Sequence, residues 1–240
     1  MRSVGQTYLD GPRSGTTSRT CRGATLSDPY ASYFLRRSPR AEVFGRAMER
    51  FARVVLGYHG CRASVATDLL SGRLSITEWT PSENAHDWLG HGVYFWEHAP
   101  ERALDWARRK VERDGLGEQP GVVGAVIQLG DCLDLTNVAH TVLLRQAYEQ
   151  MVESYGKAGK PLLANTGRDR DKKNRQLDCL VINWLHRRSD STAHFGTVRG
   201  LFQEGGPAYP GAKIMRQTHI QVVVRDKRCI LGVFRPNMVS

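Results

Sequence analysis

Apolar positions along this chain fall into short runs typical of strands and into i, i+3, i+4 series typical of helices. Val65, Leu69 and Leu70 share one helical face, and Gly72 follows where that helix should end. The predicted helices are Ala63–Ser71, one beginning at Pro100, Val138–Tyr155 and Leu177–Leu185. The predicted strands are Val54–Tyr58, Val93–Trp96, Val122–Leu129, Thr197–Phe202, Ile214–Val224 and Cys229–Phe234. Late strands, with helices between the early ones, indicate an α+β domain with a split, mostly antiparallel sheet.

Composition divides the chain into two parts. Residues 1–45 are rich in Arg, Ser, Thr and Gly without a sustained period, which predicts a flexible basic N-terminal extension before one domain over 46–240. Residues 1–40 carry seven Arg against Asp10 and Asp28, which is +5 of the formal charge of +10, and this weakens the charge as a sign of nucleic-acid binding by the domain. The run Arg168–Arg175 mixes five bases with two acids. Such a run is more typical of a solvated loop, although it can also steer a polyanion.

The spacing of cysteines and histidines indicates the cellular compartment of the protein and whether it binds a metal ion. The five cysteines are scattered and form no Cys-x-x-Cys pair, so we expect reduced thiols in a cytoplasmic protein. The chain contains no long apolar run, so we expect no membrane span. His86, His91 and His98 lack metal-ligand spacing, and no metal site is predicted from them.

Two short motifs point to chemistry. His59 and Gly60 end an apolar run, and Gly90–Trp96 reads Gly-His-Gly-Val-Tyr-Phe-Trp ahead of a helix that carries Ala103 and Trp106. In this order and separation they resemble the NAD-binding half of ADP-ribosyltransferases, in the diphtheria-toxin and poly(ADP-ribose)-polymerase branch built on a His, a Tyr and a Glu. The resemblance implies an ADP-ribosyltransferase-like split sheet with flanking helices, with NAD as the substrate and no metal.

The resemblance also implies residue roles. Gly60 would exchange hydrogen bonds with the nicotinamide carboxamide, because a residue without a Cβ lets a flat amide approach its backbone. His59 would bind a ribose hydroxyl, and Tyr94 and Trp106 would hold the nicotinamide ring between them. Ala103 stands at the family's small residue on the helix, one position out of register from Tyr94 and without the hydroxyl that the family often uses.

The third member of the His, Tyr and Glu set differs here. The matching position on the late strand is Gln221, and an amide cannot act as a base or stabilise a cation with a full charge. Glu204, on the loop leading to that strand, is the leading substitute acid. It can equally be a solvated loop acid.

These features predict a mono-ADP-ribosyltransferase of the bacterial effector or toxin type. It would cleave NAD and transfer one ADP-ribose to a macromolecular acceptor, either protein or nucleic acid. Two alternatives stay open. One is a catalytically inactive NAD-binding module, for which Gln221 is the main argument. The other is an enzyme like the RNA 2′-phosphotransferases, although the basic and histidine-rich site of those enzymes has no clear match here.

Overall fold

The computed structural model describes residues 53–115, 117–167, 173–187 and 194–238. The predicted extension over 1–45 and most of the run Arg168–Arg175 lie outside the described residues. Within the described parts the protein is an α+β structure, as the sequence predicts, and it contains seven strands rather than the six predicted. The strands are β1 Val54–Arg62, β2 Val93–Glu97, β3 Pro120–Gln128, β4 Cys132–Asp134, β5 Thr197–Phe202, β6 His219–Val224 and β7 Ile230–Phe234.

The strands form one sheet in the order β4-β5-β6-β2-β1-β3-β7. Every neighbouring pair is antiparallel except β4 with β5. The mostly antiparallel character is therefore confirmed. A split of the sheet is not observed, because the seven described strands form one continuous sheet, in which β1 and β2 pair at only two positions.

The helices described are α1 Ala63–Ser71, α2 Pro100–Asp114, α3 Val138–Lys157 and α4 Gln176–Arg187. Gly72 ends α1 in the left-handed region at φ 76°, a backbone conformation that favours glycine. Pro100 opens α2 in its first turn, where a missing N–H costs no helical hydrogen bond. The Asn137 side chain caps α3 by accepting from the Ala139 N–H.

The two faces of the sheet bury different clusters. One face packs Phe95, Val123 and Val222 against α1 and Trp79. On the other face, α2 covers β1 and β3 around Trp96, whereas α4 covers the β4–β6 half around Ile182.

An ion-pair cluster ties three strands together. Arg199 on β5 donates to Glu97 on β2 at 2.7 and 2.9 Å, and it also lies 3.3 Å from the carboxylate of Asp134 on β4. All three side chains are largely buried. Removing the guanidinium would therefore leave Glu97 without its partner in a poorly solvated place, whereas Asp134 would keep its ion pair with Arg53.

Several predicted bounds need correction. The first strand does not end at His59 but runs to Arg62, because it pairs with β3 over nine residues. The late strand begins at His219 rather than Ile214, because the preceding segment folds into a loop closed by a bridge between Pro207 and Met215. Strand β4 was not predicted at all. It has only three residues, too few to show a period.

Candidate active site

The hydrogen-bond ladder between β1 and β2 is unusually short. It covers only Gly57 with Glu97 and Tyr58 with Trp96. On their other edges, β1 pairs with β3 over nine residues and β2 pairs with β6 over five. Beyond Tyr58 the two strands separate, and a cleft opens at this point.

The pattern of the ladder shows which backbone groups face this opening. The Leu56 carbonyl accepts from the His98 N–H at 3.0 Å, across the edge that β1 shares with β2. In an antiparallel strand every second residue directs both its N–H and its C=O to the same edge. Gly60 therefore directs both groups towards β2, and Tyr94, which would be its partner in a continued ladder, directs both towards β1.

The His59 side chain replaces part of the missing ladder. Its Nδ1–H donates to the Tyr94 carbonyl at 2.8 Å, which leaves Nε2 as an acceptor in the neutral ring. Burial, with a smaller contribution from the nearby charge of Lys110, lowers the pKa of His59 to about 4. The ring is held edge-on against Trp79. Since His59 occupies the Tyr94 carbonyl, the N–H and C=O of Gly60 are left directed into the opening.

A cleft of about 1030 Å³ surrounds this opening. It is large for a single small-molecule site, since such sites measure about 300–1000 Å³. The cleft brings together six of the seven residues that the sequence singled out. They are His59, Gly60, Tyr94, Trp106, Glu204 and Gln221.

Ala103, the seventh residue, has a different position. It is fully buried on α2, and a Cβ built on Gly60 would overlap its carbonyl oxygen. The expected direct contact of Ala103 with nicotinamide is therefore wrong. The reason given for Gly60 also changes, because the missing Cβ makes room for helix α2 rather than for a ligand. The Gly60 N–H and C=O lie in the plane of the sheet and face β2, so the packing of α2 against Gly60 does not change their direction.

Tyr94 and Trp106 line the cleft with aromatic surface. The Tyr94 hydroxyl donates to the Gly90 carbonyl at 2.7 Å and accepts from the Leu89 N–H at 2.9 Å, so the ring is fixed at both ends. Burial raises the pKa of Tyr94 well above its usual value, which keeps the hydroxyl protonated. Trp106 is 37% exposed, and its ring centroid lies 5.9 Å from that of Trp96.

Gln221 lies on β6 opposite Trp96 and is held by a histidine two residues away. The Nδ1–H of His219 donates to the Gln217 carbonyl at 2.8 Å, so its Nε2 accepts from the Gln221 amide nitrogen at 3.1 Å. Burial lowers the pKa of His219, which favours this neutral ring. The amide nitrogen is thereby engaged, and the amide oxygen of Gln221 is the group left to meet a ligand.

Glu204 is not a solvated loop acid. Its carboxylate accepts from Arg102 at 2.7 Å, and both side chains are largely buried, at 15% and 18% exposure. It also lies 3.8 Å from Nε2 of His219, the ring that contacts Gln221. Glu204 and Gln221 therefore lie at the same end of the cleft, on either side of His219.

The wall opposite α2 is a folded loop. Ser82 exchanges both backbone hydrogen bonds with Gly92, at 2.8 and 3.0 Å. The Asp87 carboxylate accepts from the Ser82 hydroxyl at 3.0 Å and from the Asn84 N–H at 2.9 Å. Residues 80–84 and 86–88 of this loop line the cleft, so its shape is set by hydrogen bonds within the loop.

Sequence reasoning missed two contributors to this site. His219 shares a strand face with Gln221 because the two are separated by two residues, and that spacing was a usable signal. Arg102 lies one helical turn before Trp106 and faces the same side of α2. Its ion pair with Glu204 joins residues 102 positions apart, and no local pattern predicts it.

The described helices include none that is long and apolar enough to cross a bilayer. The described residues also hold no group of three or more His, Cys, Asp or Glu side chains arranged for a metal ion. Comparison of the chain with models of known families, with curated proteins and with solved structures gave no match. The chemistry of the cleft therefore has to be inferred from its own residues.

Proposed function

We propose that the protein is a mono-ADP-ribosyltransferase that cleaves NAD and transfers ADP-ribose to a macromolecular acceptor. One observation carries the proposal: Gly60 directs an N–H and a C=O into the cleft that Tyr94 and Trp106 also line. A primary carboxamide presents one acceptor and one donor in a plane and so complements this pair of groups. The two aromatic residues suit a flat ring beside it.

The reaction needs little beyond orientation and charge. The bond between ribose C1′ and the nicotinamide nitrogen breaks, and its electron pair leaves with nicotinamide. A nucleophile on the acceptor bonds to C1′ and releases a proton. Positive charge develops on the ribose in the transition state, so polar groups placed beside it lower the barrier. The neutral Nε2 of His59 and the amide oxygen of Gln221 can each accept from a ribose hydroxyl.

The amide at Gln221 helps to distinguish the transfer of a single ADP-ribose from the elongation of a chain. Gln221 can orient a ribose hydroxyl but cannot take its proton, which favours a single transfer over chain elongation. Glu204 supplies a carboxylate at the same end of the cleft, with Arg102 as its partner. It is the candidate for stabilising the cationic ribose.

Turnover of labelled NAD tests the proposal. The full chain is incubated with NAD and with separate pools of protein, RNA and DNA, and we expect nicotinamide release with label in one pool. Gln221→Glu should raise NAD hydrolysis or transfer, because it adds a carboxylate. Glu204→Gln should lower the rate by about 100-fold or more, as the loss of one catalytic electrostatic contact does.

Glu101→Gln is the matched control, since Glu101 is exposed on the first turn of α2 and does not line the cleft. A rate for Glu204→Gln within a few-fold of this control would exclude Glu204 as the acid. Absence of NAD binding by the wild-type chain would refute the proposal as a whole.

A second candidate is a module that binds NAD without turning it over. The observation in its favour is the Gln221 amide, which is held by His219 and carries no charge. Calorimetry separates the two functions. Measurable NAD affinity with no nicotinamide release on any acceptor pool would favour the binding module.

A further inference from the structure

One face of helix α2 is basic and aromatic where it meets the cleft. The residues at i, i+4, i+7, i+8 and i+11 lie on one side of a helix, and here all five line the cleft. They are Arg102, Trp106, Arg109, Lys110 and Arg113. Four of the five are cations, which is far more positive charge than a site for a neutral amide and a ribose needs.

These cations differ in whether a carboxylate already pairs with them. Arg102 is paired with Glu204, and Arg113 lies 3.8 Å from Asp114. Arg109 and Lys110 have no carboxylate within 4.0 Å among the described residues, and Lys110 contacts the Trp106 ring at 4.9 Å from its centroid. Two adjacent positive charges therefore face the cleft without compensation, which favours an anionic ligand at this place.

The position of Arg109 and Lys110 along α2 indicates which part of a ligand the anionic group would be. Gly60 packs against the turn of α2 between Ala103 and Ala107, which also carries Trp106, and Arg109 and Lys110 follow about 4.5–6 Å beyond Trp106 along the axis, at 1.5 Å per residue. In a nicotinamide dinucleotide the diphosphate lies one ribose away from the ring. Past Arg62 the cleft is lined by the apolar side chains Val65 and Leu74, which suit the flat face of a base.

The rest of α2 argues against an extended polyanion. Outside the cleft the helix alternates charge, with Glu101, Asp105 and Glu112 beside Arg108. Arg108 is paired with Asp105 at 3.5 Å. A nucleic-acid surface would continue the positive charge along the exposed side of the helix, whereas here the excess is confined to the cleft.

We propose that Arg109 and Lys110 form a diphosphate-binding subsite on α2 and hold the dinucleotide through the charge between its two nucleosides. This rests on the proposed function, because the subsite is placed relative to nicotinamide at Gly60. Arg109 offers paired N–H donors to the phosphate oxygens and Lys110 a compact charge.

Calorimetry of the full chain with NAD, ADP and nicotinamide tests the subsite. The double variant Arg109→Gln/Lys110→Gln should bind NAD and ADP about 10- to 100-fold more weakly, since each lost bond involves charged partners. Nicotinamide affinity should stay within about twofold, because its contacts at Gly60 are untouched. The control Arg108→Gln removes a cation from the same helix outside the cleft and should change none of the three affinities.

The outcomes distinguish this inference from the proposed function. Equal NAD affinity for the double variant and the wild type overturns the subsite and leaves the function standing. Wild-type binding of ADP that depends on both cations, without binding of nicotinamide, supports the subsite and refutes the function. A single-stranded oligonucleotide that binds through Arg109 and Lys110 with a steep salt dependence, while ADP does not bind, also overturns the subsite.

Discussion

Gly60→Ala is the substitution that most directly tests how the site is built. A Cβ at this position would overlap the Ala103 carbonyl oxygen and come within 3.2 Å of the Ala107 backbone nitrogen. Both atoms belong to the backbone of α2 and cannot swing aside as a side chain can. The helix must therefore move away from β1, and Trp106 moves with it.

The size of the effect follows from the cost of overpacking. An added methyl that forces backbone shifts costs about 1–3 kcal/mol. For a domain of this size the Tm should fall by about 2–4 °C for each kcal/mol, and hence by about 2–12 °C. Thermal unfolding followed by circular dichroism measures the change. Nicotinamide affinity should fall as well, because the aromatic wall is displaced.

Gly232→Ala provides the control. Gly232 also lies within a strand, but a Cβ there meets nothing within 4 Å. Both substitutions gain about 0.4–1 kcal/mol by restricting the unfolded chain, so their difference isolates the overlap with α2. Equal Tm values for the two variants would refute the close packing of α2 on Gly60.

Three further predictions follow from contacts described above. Tyr94→Phe should lower the free energy of unfolding by about 1–3 kcal/mol, since it leaves two backbone groups of the preceding turn unpaired; an unchanged urea midpoint would contradict those bonds. Arg199→Met should cost about 3–5 kcal/mol, because its carboxylate partners stay buried; a loss under about 1 kcal/mol in the same measurement would show that the cluster is solvated. His59 and His186 have pKa values lowered by burial to about 4, so the unfolded chain binds more protons between pH 4 and 6.5. Stability should therefore fall as the pH drops from 6.5 to 4 and level off above 6.5, and equal unfolding free energies at the two ends would argue against burial of these rings.

Local periodicity was sufficient for much of the fold. Helix Ala63–Ser71 and strand Thr197–Phe202 were predicted with the bounds observed, because their apolar spacing and end signals are contained in the segments themselves. Strand β1 was cut short at His59, since a His-Gly pair is typical of a turn. Its continuation depends on pairing with β3, which lies some sixty residues further along the chain.

In the candidate site, too, local motifs predicted some features, whereas others depend on contacts between distant parts of the chain. The motifs predicted that Gly60 and Tyr94 would share a cleft, and they do. The resemblance counted Ala103 among the NAD-binding residues, but spacing along a helix does not say which face meets the cleft, and Ala103 is buried in the core. The Gln221 and Glu204 end depends on His219 and Arg102, whose contacts cross from one element to another.

The interrupted ladder between β1 and β2 places folding and binding in competition for the same atoms. Continued pairing of Gly60 with Tyr94 would add two backbone hydrogen bonds to the sheet, each contributing about 0.5–1.5 kcal/mol. It would also consume the groups that a ligand can use. His59 decides this competition, because its bond to the Tyr94 carbonyl occupies the acceptor that Gly60 would otherwise reach. Under the proposed function, the fold gives up the stability of these two hydrogen bonds so that the Gly60 N–H and C=O can meet a ligand.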